Sequence, residues 1–363
     1  MRLLVLTADY PPNVWSGIGV AVKNQAQALA ERGLEVCVLY SSASPAQADR
    51  LSPGLVVHPL SQKGIPIDAH QFDLLHLHSL ALSELALEIK NRYRLPLIYT
   101  AHSLLDHELE ASIEKSLWSG VQEIIFQASD HVIFLNSQER TRAIARWEYL
   151  SEKSSVIPNP IPPPEPGTRP YQAPGPIVFA GRFTRQKGIE LLVQIVRRLS
   201  VRSNYDFVLA GGHSDEYGEQ QAHCLQREFP NSCHLAGWLE HAALQRLFSQ
   251  AGLVLAPSIY EPFGMVALEA MRMGAPVLGA AVGGLRENIT PDSGGRLVWS
   301  HEPEEWCARI VELMEDQAAN LQLRRQGPVY VQNHHHPKKF AARIVQEVYS
   351  GTQSRTRGRE QCP

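Results

Sequence analysis

Two glutamates eight positions apart, Glu261 and Glu269, lie in the segment SIYEPFGMVALEA, directly after the apolar run GLVLAP. Pro262 keeps Glu261 out of the α region and fits the first turn of a helix, so the segment is expected to run from a strand through a loop carrying Glu261 into a helix carrying Glu269. The first turn of a helix leaves its amides without intrahelical acceptors. Phe263, Gly264, Met265 and Val266 are therefore expected to offer N–H groups to a ligand, and Gly264 lets that ligand come close to the backbone. Such a terminus suits phosphate or sugar hydroxyls, its dipole contributing about 0.3–1 kcal/mol toward an anion. Glu269, about one and a half turns into the helix, and Glu261 in the loop would touch different parts of one elongated ligand. The plainer alternative is a loop acid followed by a solvated helix glutamate.

A second segment, FAGRFTRQKG, reads as a strand ending in a basic loop. Arg182 and Lys187 are five apart and converge only if the loop wraps around something. A diphosphate is the matching anion, since guanidinium grips it bidentately and ammonium adds a compact charge. Arg185 is assigned to solvent. A third segment, YPPNVWSGIGV, places Gly17 and Gly19 after the first strand, where they permit positive φ and close backbone approach to a ligand. It is not the dinucleotide fingerprint: Val22 occupies the third glycine position, and the second strand ends Tyr40-Ser41-Ser42 without an acid for a ribose. A nicotinamide-dependent dehydrogenase is disfavoured.

Metal chemistry finds little support. There is no DxD sequence, so a divalent clamp on a diphosphate lacks evident ligands and no metal or cofactor is expected. His76 and His78 share one strand face and could chelate zinc if a third ligand joined them; a polar lining of an acceptor pocket is preferred. The tract His334-His335-His336 is assigned to the surface, and Asp106 and His107 are weak candidates for meeting an acceptor. Five cysteines (Cys37, Cys224, Cys233, Cys307, Cys362) form no CxxC pair, which fits a reducing cytoplasm.

These residues need a scaffold, and 363 residues with 44% apolar and 20% charged content are enough for about two domains. The net charge of −3 argues against a dedicated nucleic-acid binder. The opening apolar stretch, Leu3 to Leu6, is too short for a signal-peptide core, and no run approaches a membrane span, so a soluble chain is expected. Nine of the 25 prolines fall between Pro158 and Pro176, marking a semi-rigid linker. On both sides, short unbroken apolar runs alternate with helix-length stretches. The first half has LLVL, VCVL, LLHL, LPLIY and VIFL; the second has PIVFAG, DFVLAGG, CHLAG, GLVLAPS and APVLGA. Unbroken runs suit strands buried on both faces. The fold class is therefore α/β, with two doubly wound Rossmann-like sheets facing a central cleft. The expected boundaries are an acceptor-side domain over 1–157, the linker over 158–176, and a ligand-binding domain over 177–336. A closing helix over 337–350 should pack back on the first domain, and a polar tail over 351–363 is expected to be disordered. Ligands of such sheets bind beyond the carboxyl ends of the strands.

Together the glycine loop, VIPNP, GRFTRQKG, LAGWLEHAALQRLFSQAGLVLAPS, EPFGMVALEAM and PVLGAAVGGLREN resemble a family 4 retaining glycosyltransferase of the GT-B fold, over nearly the whole chain. Pro160 stands where family members often have glycine, a departure confined to the linker. The resemblance implies that Glu269 holds the nucleotide ribose and that Glu261 lies by the donor sugar with the Gly264, Met265 and Val266 amides. It places Arg182 and Lys187 on the donor diphosphate, and Gly17 and Gly19 in a loop over phosphate and sugar. Trp238 and Leu239 would lie against the base, and His102, in IYTAHS, near the donor sugar.

The expected reaction is transfer of a hexosyl or N-acetylhexosaminyl group from a nucleotide diphosphate sugar to a hydroxyl acceptor, with the anomeric configuration kept by same-face attack. A UDP-linked donor is preferred only because it is frequent in the family. No nucleophile stands at a motif position, so Glu261 orients the sugar and forms no adduct. A phosphorylase-like GT-B enzyme and a non-catalytic nucleotide-sugar-binding protein are the alternatives. Residues 1–160 carry 13 Lys plus Arg against 17 Asp plus Glu, a balance that does not favour anionic lipid, although Lys90, Arg92 and Arg94 form a local basic patch. Acceptor, linkage and oligomeric state are not encoded legibly.

Overall fold

The computed structural model describes residues 1–352 except 12–16, 42–48, 61–66, 109–112, 165–174, 203 and 213–215. The chain divides into one unit of Met1–Pro162 with His335–Pro363 and a second of Pro163–His334. Most of the proline-rich stretch and the tail from residue 353 lie outside the described residues.

Unit 1 runs β1 (Arg2–Thr7), α1 (Gly17–Glu31), β2 (Glu35–Ser41), β3 (Asp49–Ser52), β4 (Leu55–Leu60), β5 (Leu74–Leu77), α2 (Ser83–Tyr93), β6 (Leu97–Ala101), α3 (Ile113–Ala128), β7 (His131–Phe134), α4 (Ser137–Arg146) and β8 (Ser154–Val156). Its sheet has the order β3-β4-β2-β1-β5-β6-β7-β8. Every pairing is parallel except β3 with β4. That antiparallel edge corrects the expectation of a wholly parallel sheet. Alternation along β1 shows why its apolar run is unbroken: Leu3 and Val5 belong to one core cluster, Leu4 and Leu6 to the other. A strand covered on both faces cannot carry a polar face.

Unit 2 runs β9 (Ile177–Ala180), α5 (Ile189–Arg202), β10 (Phe207–Ala210), α6 (Glu216–Glu228), β11 (Cys233–Gly237), α7 (His241–Gln250), β12 (Leu253–Ala256), α8 (Met265–Arg272), β13 (Val277–Ala280), α9 (Gly283–Asn288), β14 (Gly295–Val298), α10 (Pro303–Glu315) and α11 (Gln317–His334). The sheet order is β11-β10-β9-β12-β13-β14, all parallel. On α5, Ile189, Leu192, Val193, Val196 and Leu199 are buried in the unit core, as their spacing predicts.

The chain then returns to unit 1 through α12 (Pro337–Ile344), continued by a turn of wider helix over Val345–Tyr349. Phe340, Ile344, Val348 and Tyr349 are buried in the cluster that includes Val22, Ala26 and Leu29 of α1. The histidine tract before this helix is not a surface feature throughout. His335 is buried, its carbonyl accepts the Ile161 amide at 2.8 Å, and the His336 ring caps α12 by accepting the Lys338 amide at 3.1 Å. Among the described residues, no helix is long and apolar enough to cross a membrane.

Candidate active site

In doubly wound sheets the loops at the point where strand order reverses form the ligand crevice. In unit 2 that point lies between β9 and β12, and the loops that follow these two strands hold the two strongest sequence motifs. They are locked together. Gly188 has φ +79°, and a Cβ there would stand 2.0 Å from the Pro257 carbonyl oxygen, so only glycine permits the approach. The Gln186 carbonyl accepts the Ile259 amide at 2.9 Å.

This contact sets Lys187 against Glu261. Lys187 Nζ lies 2.6 Å from Glu261 Oε2, and the Ser258 hydroxyl donates to the same oxygen at 3.2 Å. Glu261 Oε1 accepts the Gly264 amide at 3.2 Å, and the Glu261 carbonyl accepts the Gly284 amide at 2.8 Å. The α9 end of the next loop closes in here: a Cβ at Gly283 would come within 2.2 Å of the Glu261 carbonyl oxygen. The ammonium and carboxylate, held from several sides, make a preorganised charge pair at the switch point of the sheet.

Two local expectations are corrected. Pro262 does not open the helix; α8 begins at Met265, after Gly264 turns the chain with φ +88°. The Gly264 amide is therefore spent on Glu261 and is not offered to a ligand. The later start leaves Glu269 just over one turn into α8. Glu269 keeps part of its surface open, yet burial pushes its carboxyl up to about 7 because the charged form loses water. It is neither a solvated helix glutamate nor a fully ionised one at neutral pH.

The rest of the rim follows from strand ends. The Gly181 amide bonds the Ala210 carbonyl at 2.9 Å and the Gly211 amide bonds the Gly237 carbonyl at 2.9 Å, chaining the ends of β9, β10 and β11. Trp238 follows β11 with 45% of its surface exposed, and Leu239 is partly buried. Arg182 is exposed on the basic loop. Arg185 is exposed as expected, pairing with Glu190 at 3.2 Å and lying over the Tyr217 ring.

Unit 1 holds the remaining candidates. Gly17 and Gly19 both sit in the first turn of α1, and neither uses the positive φ open to glycine. Gly19 is needed for another reason: a Cβ would come 2.9 Å from the Asp9 carboxylate. His102 follows β6 directly and is partly buried. His78 Nδ1 shares a hydrogen bond with His102 Nε2 at 3.0 Å. His76 Nδ1 meets the Tyr349 hydroxyl and its Nε2 the Thr100 hydroxyl, both at 2.8 Å. Burial lowers all three imidazoles: His76 to about 3, His102 to about 4, and His78 well below its ordinary value. His76 and His78 are thus a buried, bonded pair of rings and not an open pocket lining. Among the described residues no group of three or more His, Cys, Asp or Glu is placed to hold a metal ion. Asp106 is ion-paired with Arg146 of α4; the side chain of His107 lies outside the described residues.

Sequence reasoning gave Ser258 no signal beyond its place in the loop. It named His78 only as a strand-face partner of His76, although this histidine stands at the carboxyl end of a strand beside the switch of unit 1 and meets His102.

With this geometry in hand, comparison with known proteins is informative. Residues 15–164 match the family described as glycosyltransferase family 4, and residues 168–329 match glycosyl transferases group 1. An uncharacterized glycosyltransferase of Methanocaldococcus jannaschii is 26% identical, covering 87% of this chain and 90% of its own. A D-inositol 3-phosphate glycosyltransferase of Corynebacterium aurimucosum is 25% identical, covering 85% of each. Among solved structures, sucrose-phosphate synthase from Thermosynechococcus elongatus superposes with a TM-score of 0.81 at 23% identity, over 97% of this chain and 99% of that one. Anabaena HepE in complex with UDP-glucose gives 0.76 at 18% identity, over 96% and 100%. At these identities the structural likeness concerns the fold.

Proposed function

Because the chain belongs to the family 4 glycosyltransferases and has their GT-B fold of two Rossmann-like domains, we propose that it is a retaining, metal-independent hexosyl- or N-acetylhexosaminyltransferase that uses a UDP-linked donor and a hydroxyl acceptor. The observation that carries this reading is the Lys187–Glu261 pair at the switch point of unit 2. It places a fixed cation and a fixed carboxylate where one ligand bearing both a diphosphate and a sugar would lie.

In this reaction the bond between the anomeric carbon and the β-phosphate oxygen breaks, and its electron pair stays on the leaving diphosphate. Charge grows on that oxygen as the bond lengthens, so Lys187 and Arg182 act where the transition state differs from the ground state. The acceptor oxygen bonds the anomeric carbon on the same face, and its proton passes to the leaving oxygen. Glu261, held by Ser258 and the Gly264 amide, orients the sugar. The amides of Met265 and Val266 face the same ligand, Glu269 takes the ribose hydroxyls, Trp238 and Leu239 flank the base, and Gly17, Gly19 and His102 are assigned to donor binding. The UDP preference is supported by a structural neighbour solved with UDP-glucose, and freedom from metal by the cationic loop, which supplies the neutralising charge itself.

The test is a thermal-shift panel of UDP, GDP, ADP and TDP, each in excess EDTA and then with magnesium. A nucleotide at 100 times its dissociation constant stabilises by about 2.7 kcal/mol, a shift of several degrees. A metal-independent shift with UDP alone supports the reading, and UDP-sugar turnover on an acceptor panel, with the anomeric configuration of the product read by NMR, completes it. No response to any nucleotide or nucleotide sugar refutes it.

A further inference from the structure

His102 stands at the carboxyl end of β6 with part of its surface open, and every ring behind it is closed off. Its Nε2 is occupied by His78 Nδ1 at 3.0 Å. The His78 ring lies tilted against the His76 ring, centroids 4.1 Å apart and planes 36° from parallel. His76 cannot turn, because both its nitrogens are taken: Nδ1 by Tyr349 and Nε2 by Thr100. Tyr349 lies 273 residues away in sequence, at the end of the closing helix, and is fully buried. The nitrogen that His102 leaves for a ligand is thus Nδ1.

The contact between two neutral imidazoles has a consequence for that atom. One proton must lie between His78 Nδ1 and His102 Nε2, since two N–H groups or two lone pairs would repel. If His78 supplies it, His102 carries its own proton on Nδ1 and presents a donor. If His102 supplies it, Nδ1 is bare and presents an acceptor. The two tautomers are therefore coupled, and the one that His78 holds sets which hydrogen-bonding face His102 shows.

We propose that His78 is a positioning residue that fixes the tautomer and ring orientation of His102, with His76, Thr100 and Tyr349 as its brace. Its importance for catalysis rests on the transferase reading given above, in which His102 lies beside the donor sugar; the tautomer control itself does not.

The experiment uses the full chain labelled with 15N-histidine, with imidazole nitrogen shifts read by long-range proton–nitrogen NMR at pH 7.5. Wild type should show His102 in one tautomer. In His78→Leu, which fills similar space without a nitrogen, His102 should show the averaged shifts of two exchanging tautomers. In His78→Asn, whose amide reaches the place of Nδ1, a single form should return. Turnover of UDP-sugar should follow, kcat falling about tenfold in His78→Leu, with KM for the donor changed less than twofold and His78→Asn recovering most of the loss. A His102 that keeps one tautomer in a folded His78→Leu protein overturns the proposal. So does a Leu variant whose loss appears wholly in KM. Tautomer control without turnover of any nucleotide sugar in wild type would leave the positioning intact and count against the transferase reading.

Discussion

Acidification should loosen unit 1 by an amount set by its three histidines. Each is neutral in the folded protein, held below its ordinary value of 6.5 by burial: His76 to about 3, His102 to about 4, and His78 well below that ordinary value. In the unfolded chain each takes up a proton as pH falls below about 6.5. A group that binds protons only when unfolded removes stability as pH falls, starting at the unfolded value and levelling off at the folded one. Between pH 7.5 and 5.5 each histidine contributes a loss of about 1.4 kcal/mol, so the three remove about 4 kcal/mol. That is a large share of the 5–15 kcal/mol typical of a domain. Glu269 acts in the opposite sense. Its folded value is raised to about 7, so the folded protein binds the proton first and unit 2 gains stability over the same interval. A whole-molecule melting curve would mix the two effects, and amide hydrogen exchange read by peptide separates them. Corrected for the intrinsic pH dependence of exchange, protection of β5 and β6 should fall by two to three orders of magnitude, about 4 kcal/mol, while that of α8 should hold or rise. Loss of less than tenfold in β5 and β6 would refute the view that these imidazoles are buried and neutral.

Further outcomes follow from the geometry of unit 2. Gly188→Ala forces a side chain into φ +79° and against the Pro257 carbonyl, costing about 1–2 kcal/mol for the conformation alone. Displacement of the loop should weaken UDP-sugar binding, by calorimetry, well beyond any loss seen in the denaturation midpoint. Binding of UDP-glucose, which does not itself titrate near neutrality, should weaken about fivefold from pH 7 to 6 as Glu269, raised to about 7, takes up its proton. Calorimetry in buffers of different ionisation enthalpy should count up to one proton released on binding near pH 6.5, and Glu269→Gln should abolish both effects. Ser258→Ala removes one of the hydrogen bonds on Glu261 and should lower kcat about tenfold with little change in stability. Lys187→Ala should slow transfer more than it weakens donor binding, whereas Glu269→Ala should do the reverse. Unchanged kinetics in both variants would discredit the site.

The α/β architecture was legible because strand and helix signals are local. GLVLAP and LLHL read as strands from composition alone, and the helix face Ile189, Leu192, Val193, Val196, Leu199 from a period of 3.6. The strands β3, β4 and β8 were not legible. The edge strands β3 and β8 are short, and β4 carries His58 and Pro59, so pairing and not composition makes them strands. The motifs EPFG with its second glutamate and GRFTRQKG named the right loops for the same local reason: proline, glycine and charge act where they stand. What they contact depends on sheet order. Strand β12 adding to β9 brings Glu261 to Lys187 across 74 residues and makes Gly188 indispensable. The turn at Gly264 moves the helix start three residues past Pro262. Burial sets Glu269 near 7. The closing helix returns to place Tyr349 on His76. Sequence alone determined the kinds of elements and the chemistry available at their ends, because backbone sterics and periodicity act over a few residues. Tertiary structure decided which charges meet, which protons are held and which glycines are required, because those are set by packing between segments far apart in the chain.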